Sequence, residues 1–219
     1  MSGLYRKIEL VGNGPSAVPD TDGDSRVFRV NHWYLQGGRC DDWFIGEHAE
    51  IVHAAAAFIA GQRQRGLQDK PVIWFPGLSG DAIERNSAVL RGCTIKVQKH
   101  FQHLPALCRW DTDPRPRRPL TGSFALAVAV GYQPEVLYLS GMDLYQHEKG
   151  DYTSIKPPDN RDGAKEAYLS NTHGNHSLLG DLKYIRSALD AYSGKLVCVG
   201  SVMKRYFADD YKKWEWIDG

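Results

Sequence analysis

The sequence carries almost no net charge: 27 Lys and Arg face 26 Asp and Glu, a formal +1. Nucleic-acid binders show a marked basic excess, so nucleic acid is not an expected partner, although Arg115, Arg117 and Arg118 form a local basic cluster. Cysteine is scarce and dispersed. Cys40, Cys93, Cys108 and Cys198 include no pair at metal-ligand spacing, which speaks against a zinc ribbon and reads as reduced thiols of a cytoplasmic protein. Long apolar runs are missing too. The stretch Phe124 to Val130 falls far short of the roughly 18 residues that span a bilayer. Lys7 and Glu9 interrupt the early apolar stretch, so no signal peptide is expected. There is no internal repeat and no low-complexity tract. What remains is a hydrophobic share of 42% and a charged share of 24% over 219 residues. That fits one soluble α/β domain and is short for two typical ones.

What is present is an alternation of strands and helices. Ile8–Val11 runs into Gly12-Asn13-Gly14-Pro15-Ser16, a strand meeting a small-residue turn, as doubly wound domains begin. Val27–Asn31, Trp43–Ile45, Pro71–Phe75 and Thr94–Val97 read as further strands, with an alanine-rich helix from about 48 to 65 among them. The proline- and arginine-rich stretch from Asp111 to Pro119 is an irregular connection. Thr121 is positioned to cap a helix through Phe124–Val130 that is apolar all round and therefore buried. Val136–Leu139 is the next strand. Residues 146–175 then turn polar and rich in glycine and proline without a period, a length of connection that suggests a lid. Ser177 opens a helix through about Ala191, and Leu196–Val199 supplies the last strand. The expected architecture is a mostly parallel sheet with helices on both faces.

Ligands of open α/β sheets bind beyond the carboxyl ends of the strands. The polar residues there are Asn13 and Ser16 after the first strand, Asn31 after the second, and Asp143 and Tyr145 after Leu139. His176 precedes the last long helix. Histidine, with an ordinary pKa near ~6.5, suits a general base, though any one of eight histidines is more often a core or capping residue. Tyr145 and Tyr152 could donate to a phosphate or simply pack a lid. The Gly-Asn-Gly-Pro-Ser turn is not a dinucleotide fingerprint, because Ala17 stands where the third glycine would fall. Asp111-Thr112-Asp113 has the D-x-D pattern of metal-using transferases but no strand before it. Asp20 to Asp24 hints at a calcium loop, yet Asn31 occupies the place of the closing glutamate. Neither is read as a metal site.

Five segments in order resemble the bacterial sialyltransferases of glycosyltransferase family 42. They are Val11–Ser16, Val27–Asn31, Arg118-Pro119-Leu120-Thr121-Gly122, Tyr138–Gln146, and His176-Ser177 with Asp181 following. The resemblance covers nearly the whole chain. It implies a single Rossmann-like, GT-A-variant domain with a lid, performing inverting transfer from CMP-sialic acid without metal or other cofactor. His176 would take the acceptor proton, and Tyr145 and Tyr152 would stabilise the departing phosphate. Asn13, Gly14, Ser16, Asn31, Arg118, Thr121, Gly122 and Asp143 would bind the donor. A glycan acceptor ending in galactose, a homo-oligomeric state and a role in cell-surface polysaccharide or lipooligosaccharide synthesis are further implications.

There are departures. Gly46 stands where the family usually has an asparagine touching the donor sugar, His32 replaces a glutamine, His173 a tyrosine, and Tyr152 is offset by one residue. They leave room for a CMP-Kdo or other CMP-nonulosonate donor. A non-catalytic nucleotide- or glycan-binding relative is a further alternative, and hydrolysis of the donor a permitted side reaction. The tail from Arg205 to Gly219, with Tyr206, Phe207, Tyr211, Trp214 and Trp216, is expected to pack against the domain or a sister subunit. Contact with the inner face of a membrane is the alternative.

Overall fold

The computed structural model of the protein describes residues 5–18, 23–46, 49–65, 71–75, 90, 93–97, 119–148, 164–171 and 176–219. Their elements run β1 (Lys7–Val11), β2 (Arg26–Val30), the single-turn α1 (Trp33–Gln36), β3 (Asp42–Phe44), α2 (Ala49–Gln64), β4 (Val72–Phe75) and β5 (Ile95–Val97). After these come α3 (Thr121–Gly131), β6 (Val136–Ser140), α4 (Ala164–Leu169), α5 (Leu178–Asp190), β7 (Lys195–Val199), α6 (Ser201–Phe207) and β8 (Glu215–Ile217). The strands form one sheet in the order β5-β4-β3-β2-β1-β6-β7-β8. Every neighbouring pair is parallel.

This order has one reversal. From β1 the chain steps outward through β2 to β5, then returns to β6 on the other side of β1 and continues outward to β8. The connections after β1 and β6 therefore leave in opposite directions, opening a crevice at the carboxyl ends of those two strands.

Parallel strands covered on both faces are apolar on both, and alternate side chains here enter different cores. Phe44 and Trp74 join Phe124 of α3 on one face. Trp43, Ile45, Ile73 and Phe75 join Ile51, Val52, Ala55 and Ile59 of α2 on the other. Phe44 stacks on Trp74 with centroids 5.4 Å apart and meets Phe124 edge-on at 5.7 Å. Helix α3 is buried from Ser123 to Val130, lying between the sheet and α5. Its lack of a polar face is the reason: no side of it meets water.

Several elements depart from the sequence expectation. Thr121 does not cap α3 but is its first residue; Leu120 is the N-cap and offers no side-chain bond. Helix α4 lies inside the stretch read as lacking a period. Of its side chains Tyr168 alone is buried among those described, so one residue of burial left no amphipathic pattern to read. Elements α1, α6 and β8 were not expected either, being three to seven residues long. The aromatic tail packs against the domain. Phe207, Tyr211 and Trp214 are buried in the main core, Tyr211 stacks on Trp214 at 5.0 Å, and the Trp214 indole donates to the Gly194 carbonyl. Among the described residues no helix is long and apolar enough to cross a membrane.

Candidate active site

The turn after β1 is pressed against the end of β6. The Gly12 N–H donates to the Ser140 carbonyl at 2.8 Å, and the Gly14 N–H to the Gly141 carbonyl at 3.0 Å. A Cβ on Gly12 would stand 2.2 Å from the Gly141 oxygen, and one on Gly14 2.2 Å from Asp143 Oδ2. Only glycine permits that approach. Asp143, nearly fully buried, holds the turn: its Oδ2 accepts the Ser16 N–H at 2.9 Å and its Oδ1 the Ser16 hydroxyl at 2.7 Å. Ser16 Oγ in turn accepts the Gly141 N–H at 3.1 Å. Gly14, Ser16 and Asp143, expected to bind the donor, are thus brought together: Ser16 and Asp143 bond to each other and Gly14 lies close against Asp143, so these groups build the platform. Asn13 differs. Its Oδ1 is buried with no hydrogen-bond partner among the described residues, an acceptor in the crevice that a ligand N–H or O–H could satisfy.

A second group forms beyond β2 and β3. Asn31 follows β2 with a positive φ of 36°, a conformation asparagine tolerates better than most residues. Its N–H donates to Phe44 O at 2.7 Å, and its side-chain Oδ1 accepts the Gly46 N–H at 2.8 Å. A Cβ on Gly46 would lie 3.3 Å from both Asn31 Oδ1 and Thr121 Oγ1. Two expected donor contacts, Asn31 and Thr121, therefore face each other across the place where Gly46 has no side chain. Gly122 touches the other group: a Cβ there would come within 2.6 Å of the Met142 sulfur, one residue before Asp143.

Leu144 and Tyr145 after β6 are both in the left-handed region, with φ of 47° and 57°. Such a conformation costs of order 1–3 kcal/mol per residue and recurs at functional sites. It sets the direction of Tyr145, whose half-buried ring meets Tyr168 edge-on at 5.5 Å. The next residue, Gln146, is pinned by α6: its Oε1 accepts from Arg205 at 2.7 Å and from the Tyr206 hydroxyl at 2.9 Å. His176 is half-buried and directly precedes Ser177, whose side chain caps α5 by accepting the Gly180 N–H at 3.1 Å. The cap expected from sequence is the cap observed.

Asp181, in the first turn of α5, is fully buried. Its Oδ1 accepts the Leu120 N–H at 2.9 Å, just before Thr121. Burial pushes its carboxyl up to about 6, while the Ser123 hydroxyl, the Leu120 N–H and the Tyr168 hydroxyl pull the other way. Burial, then Asp181 itself, holds the Tyr168 phenol protonated. The sequence marked Asp181 only as part of a motif. Tyr168 carried no mark, and Gln146, Arg205 and Tyr206 none as a cluster. A signal existed for Asp181 alone: an acid in the first turn of a helix whose cap is already supplied by Ser177. Tyr152, Arg118, Asp111, Asp113, His173, Cys108 and residues 20–22 lie outside the described residues. Among those described, no group of three or more His, Cys, Asp or Glu gathers as a metal site.

Compared with solved structures, the chain aligns almost end to end with sialyltransferases of Campylobacter jejuni. The sialyltransferase CstII in complex with the substrate analogue CMP-3FNeuAc matches with a TM-score of 0.62 at 19% identity, over 97% of this chain and 86% of that one. The monofunctional alpha-2,3-sialyltransferase Cst-I matches with a TM-score of 0.63 at 15% identity, over 94% and 81%. CstII with cytidine-5'-monophosphate matches at 0.58 and 17%, over 99% and 86%. This is the sialyltransferase fold. No protein-family model matches the sequence, and no curated protein sequence matches it. The GT-A-variant architecture expected from five short segments is the one observed.

Proposed function

We propose that the protein is an inverting, metal-independent glycosyltransferase that moves sialic acid from CMP-sialic acid to a glycan hydroxyl. The observation that carries this reading is the unpartnered, buried Asn13 Oδ1 at the β1–β6 crevice, in a fold shared with proteins solved with CMP and a CMP-sugar analogue. In this reading the Asn13 turn receives the nucleotide, with Ser16 and Asp143 holding the turn in shape. Asn31, Thr121 and Gly122, with Arg118, receive the sugar. The bond from the anomeric carbon to the phosphate oxygen breaks as the acceptor oxygen bonds to that carbon from the opposite side. CMP leaves with the bonding electrons, and Tyr145 and Tyr152 donate hydrogen bonds to the growing phosphate charge. His176 takes the acceptor proton, an effect typically worth ~10²–10⁴-fold. A galactose-terminated acceptor, a homo-oligomer and a cytoplasmic location complete the proposal, with the inner membrane face as the alternative location.

A second donor class, CMP-Kdo or another CMP-nonulosonate, is supported by Gly46 itself, which offers the donor sugar no side chain where the sialyltransferases this chain resembles usually have an asparagine. Gly46→Asn is expected to shift preference toward CMP-N-acetylneuraminic acid, read as the ratio of kcat/KM for the two donors.

The main test is CMP release from CMP-N-acetylneuraminic acid in EDTA, with and without a galactose-terminated acceptor, for wild type and His176→Ala. Release that the acceptor stimulates, that EDTA spares and that the mutant loses by ~10²-fold or more supports the reading. Release needing a divalent ion, or equal in the mutant, overturns it.

A further inference from the structure

Between α3, α4 and α5 lies a buried polar cluster that the proposed chemistry does not use. Asp181 Oδ2, Ser123 Oγ and Tyr168 Oη are each buried without a well-formed hydrogen bond, although both hydroxyls face the Asp181 carboxylate closely enough to act on it. The other oxygen, Oδ1, holds the Leu120 N–H at 2.9 Å. One carboxylate on α5 thus touches the start of α3, where Thr121 approaches Asn31 over Gly46. It also faces the hydroxyl of α4's Tyr168, whose ring lies against Tyr145.

We propose that Asp181 is a positioning residue, setting Thr121 through the Leu120 N–H and Tyr145 through the Tyr168 ring. The inference rests on the transferase reading, since it gives Thr121 and Tyr145 their donor-side roles. A buried carboxylate is an expensive way to hold two helices together. Leucine of similar volume would fill the space but give the Leu120 N–H no acceptor and the Tyr168 hydroxyl no polar neighbour. The two arms differ in what they govern. Leu120 and Thr121 bear on donor binding, hence on KM. Tyr168 and Tyr145 bear on the departing phosphate, hence on kcat. Misplacing a reacting group by about 1 Å can cost ~10²-fold, so weak restraints suffice to matter.

The experiment compares wild type, Asp181→Asn, Asp181→Leu and Tyr168→Phe. CMP affinity is read by calorimetry, kcat and donor KM by CMP release, and Tm by thermal melting. Asp181→Asn keeps an acceptor for Leu120, so donor KM should stay within about 3-fold. Asp181→Leu loses both arms and should raise donor KM about 10-fold while lowering kcat by about 10-fold or more. Tyr168→Phe keeps the ring against Tyr145 and removes only the hydroxyl through which Asp181 acts on it. It should leave Tm and KM nearly unchanged and lower kcat by about 3–10-fold. A structural role alone predicts another pattern: lower Tm in Asp181→Leu, with kcat and KM of every folded variant as in wild type. That pattern overturns the inference, and if Asp181→Leu does not fold, an unchanged kcat in Tyr168→Phe does so by itself. Wild type that fails to bind CMP overturns the transferase reading beneath it, an outcome visible before any variant is made.

Discussion

Ser16 with Asp143 on the floor of the crevice, and Asp181 with Ser123 and Tyr168 in its wall, both bury a carboxylate among hydroxyls, and they are satisfied to different degrees. Both oxygens of Asp143 are taken by Ser16, one through a backbone N–H and one through the hydroxyl. Asp181 has one oxygen bonded and the other buried beside two hydroxyls that do not reach bonding geometry. The floor is made by two strand ends already fixed by parallel pairing from Lys7 to Val11 and Val136 to Ser140, so its donors arrive in register. The wall is made by three helices from separate parts of the chain, one only six residues long. Its groups are not brought together by strand register. A floor fixed by register suits the unchanging part of a donor, and the wall must hold its groups in place through side-chain contacts between helices.

Breaking the floor should have the larger effect on stability. Asp143→Ala removes two hydrogen bonds to a charged acceptor and leaves the Ser16 N–H buried beside a gap. Each such bond contributes ~1.5–3 kcal/mol, so a loss of about 4 kcal/mol is expected in denaturant melts. Asp143→Asn should be milder but still costly, because its amide nitrogen must face one of the two Ser16 donors. A loss below about 1 kcal/mol for Asp143→Ala would show that the turn is held by its glycine contacts instead.

The wall gives a prediction of opposite sign. Burial raises the Asp181 carboxyl to about 6 from an unfolded value of 3.8, so the folded state holds its proton to higher pH. Above about 6 the buried charge subtracts from stability. As pH falls from about 6 toward 4 the folded carboxyl protonates first and that cost is relieved, by at most on the order of 3 kcal/mol at 1.36 kcal/mol per pKa unit. Tyr168 is the titratable group facing Asp181, with Ser123 and the Leu120 N–H from α3, and the phenol stays protonated throughout this range. Wild type should therefore gain stability relative to Asp181→Asn between pH 7 and pH 5. Parallel curves for the two proteins across that interval would refute the raised carboxyl.

The contrast also marks what a sequence reveals. The floor was legible as a place: Asn13, Ser16 and Asp143 each follow an apolar run and fall at strand ends by a simple topological rule. That Ser16 and Asp143 bond to each other was not legible, because 127 residues separate them and neither has a local pattern that names its partner. The wall was less legible still. Tyr168 sits in a helix with one buried side chain among those described, and α3 begins at a residue whose own side chain makes no cap. Thr121 looked like the cap by its type. The acceptor that serves the start of α3 comes from Asp181, on another helix, which no local propensity predicts.

The smallest expected effect compares two helix starts within the wall. Helix α5 is capped by the residue just before it, Ser177, whereas the start of α3 relies on Asp181 from another helix. An N-cap serine replaced by alanine typically costs ~1 kcal/mol, and Ser177→Ala should do so in denaturant melts. Because His176 is the neighbouring residue, the same substitution should loosen the proposed base and lower acceptor-stimulated turnover about 3-fold, with CMP affinity unchanged. Loss of stability with turnover intact would mean that His176 is held by other contacts. The cap would then serve the helix alone, leaving Asp181 as the group that ties the wall to the site.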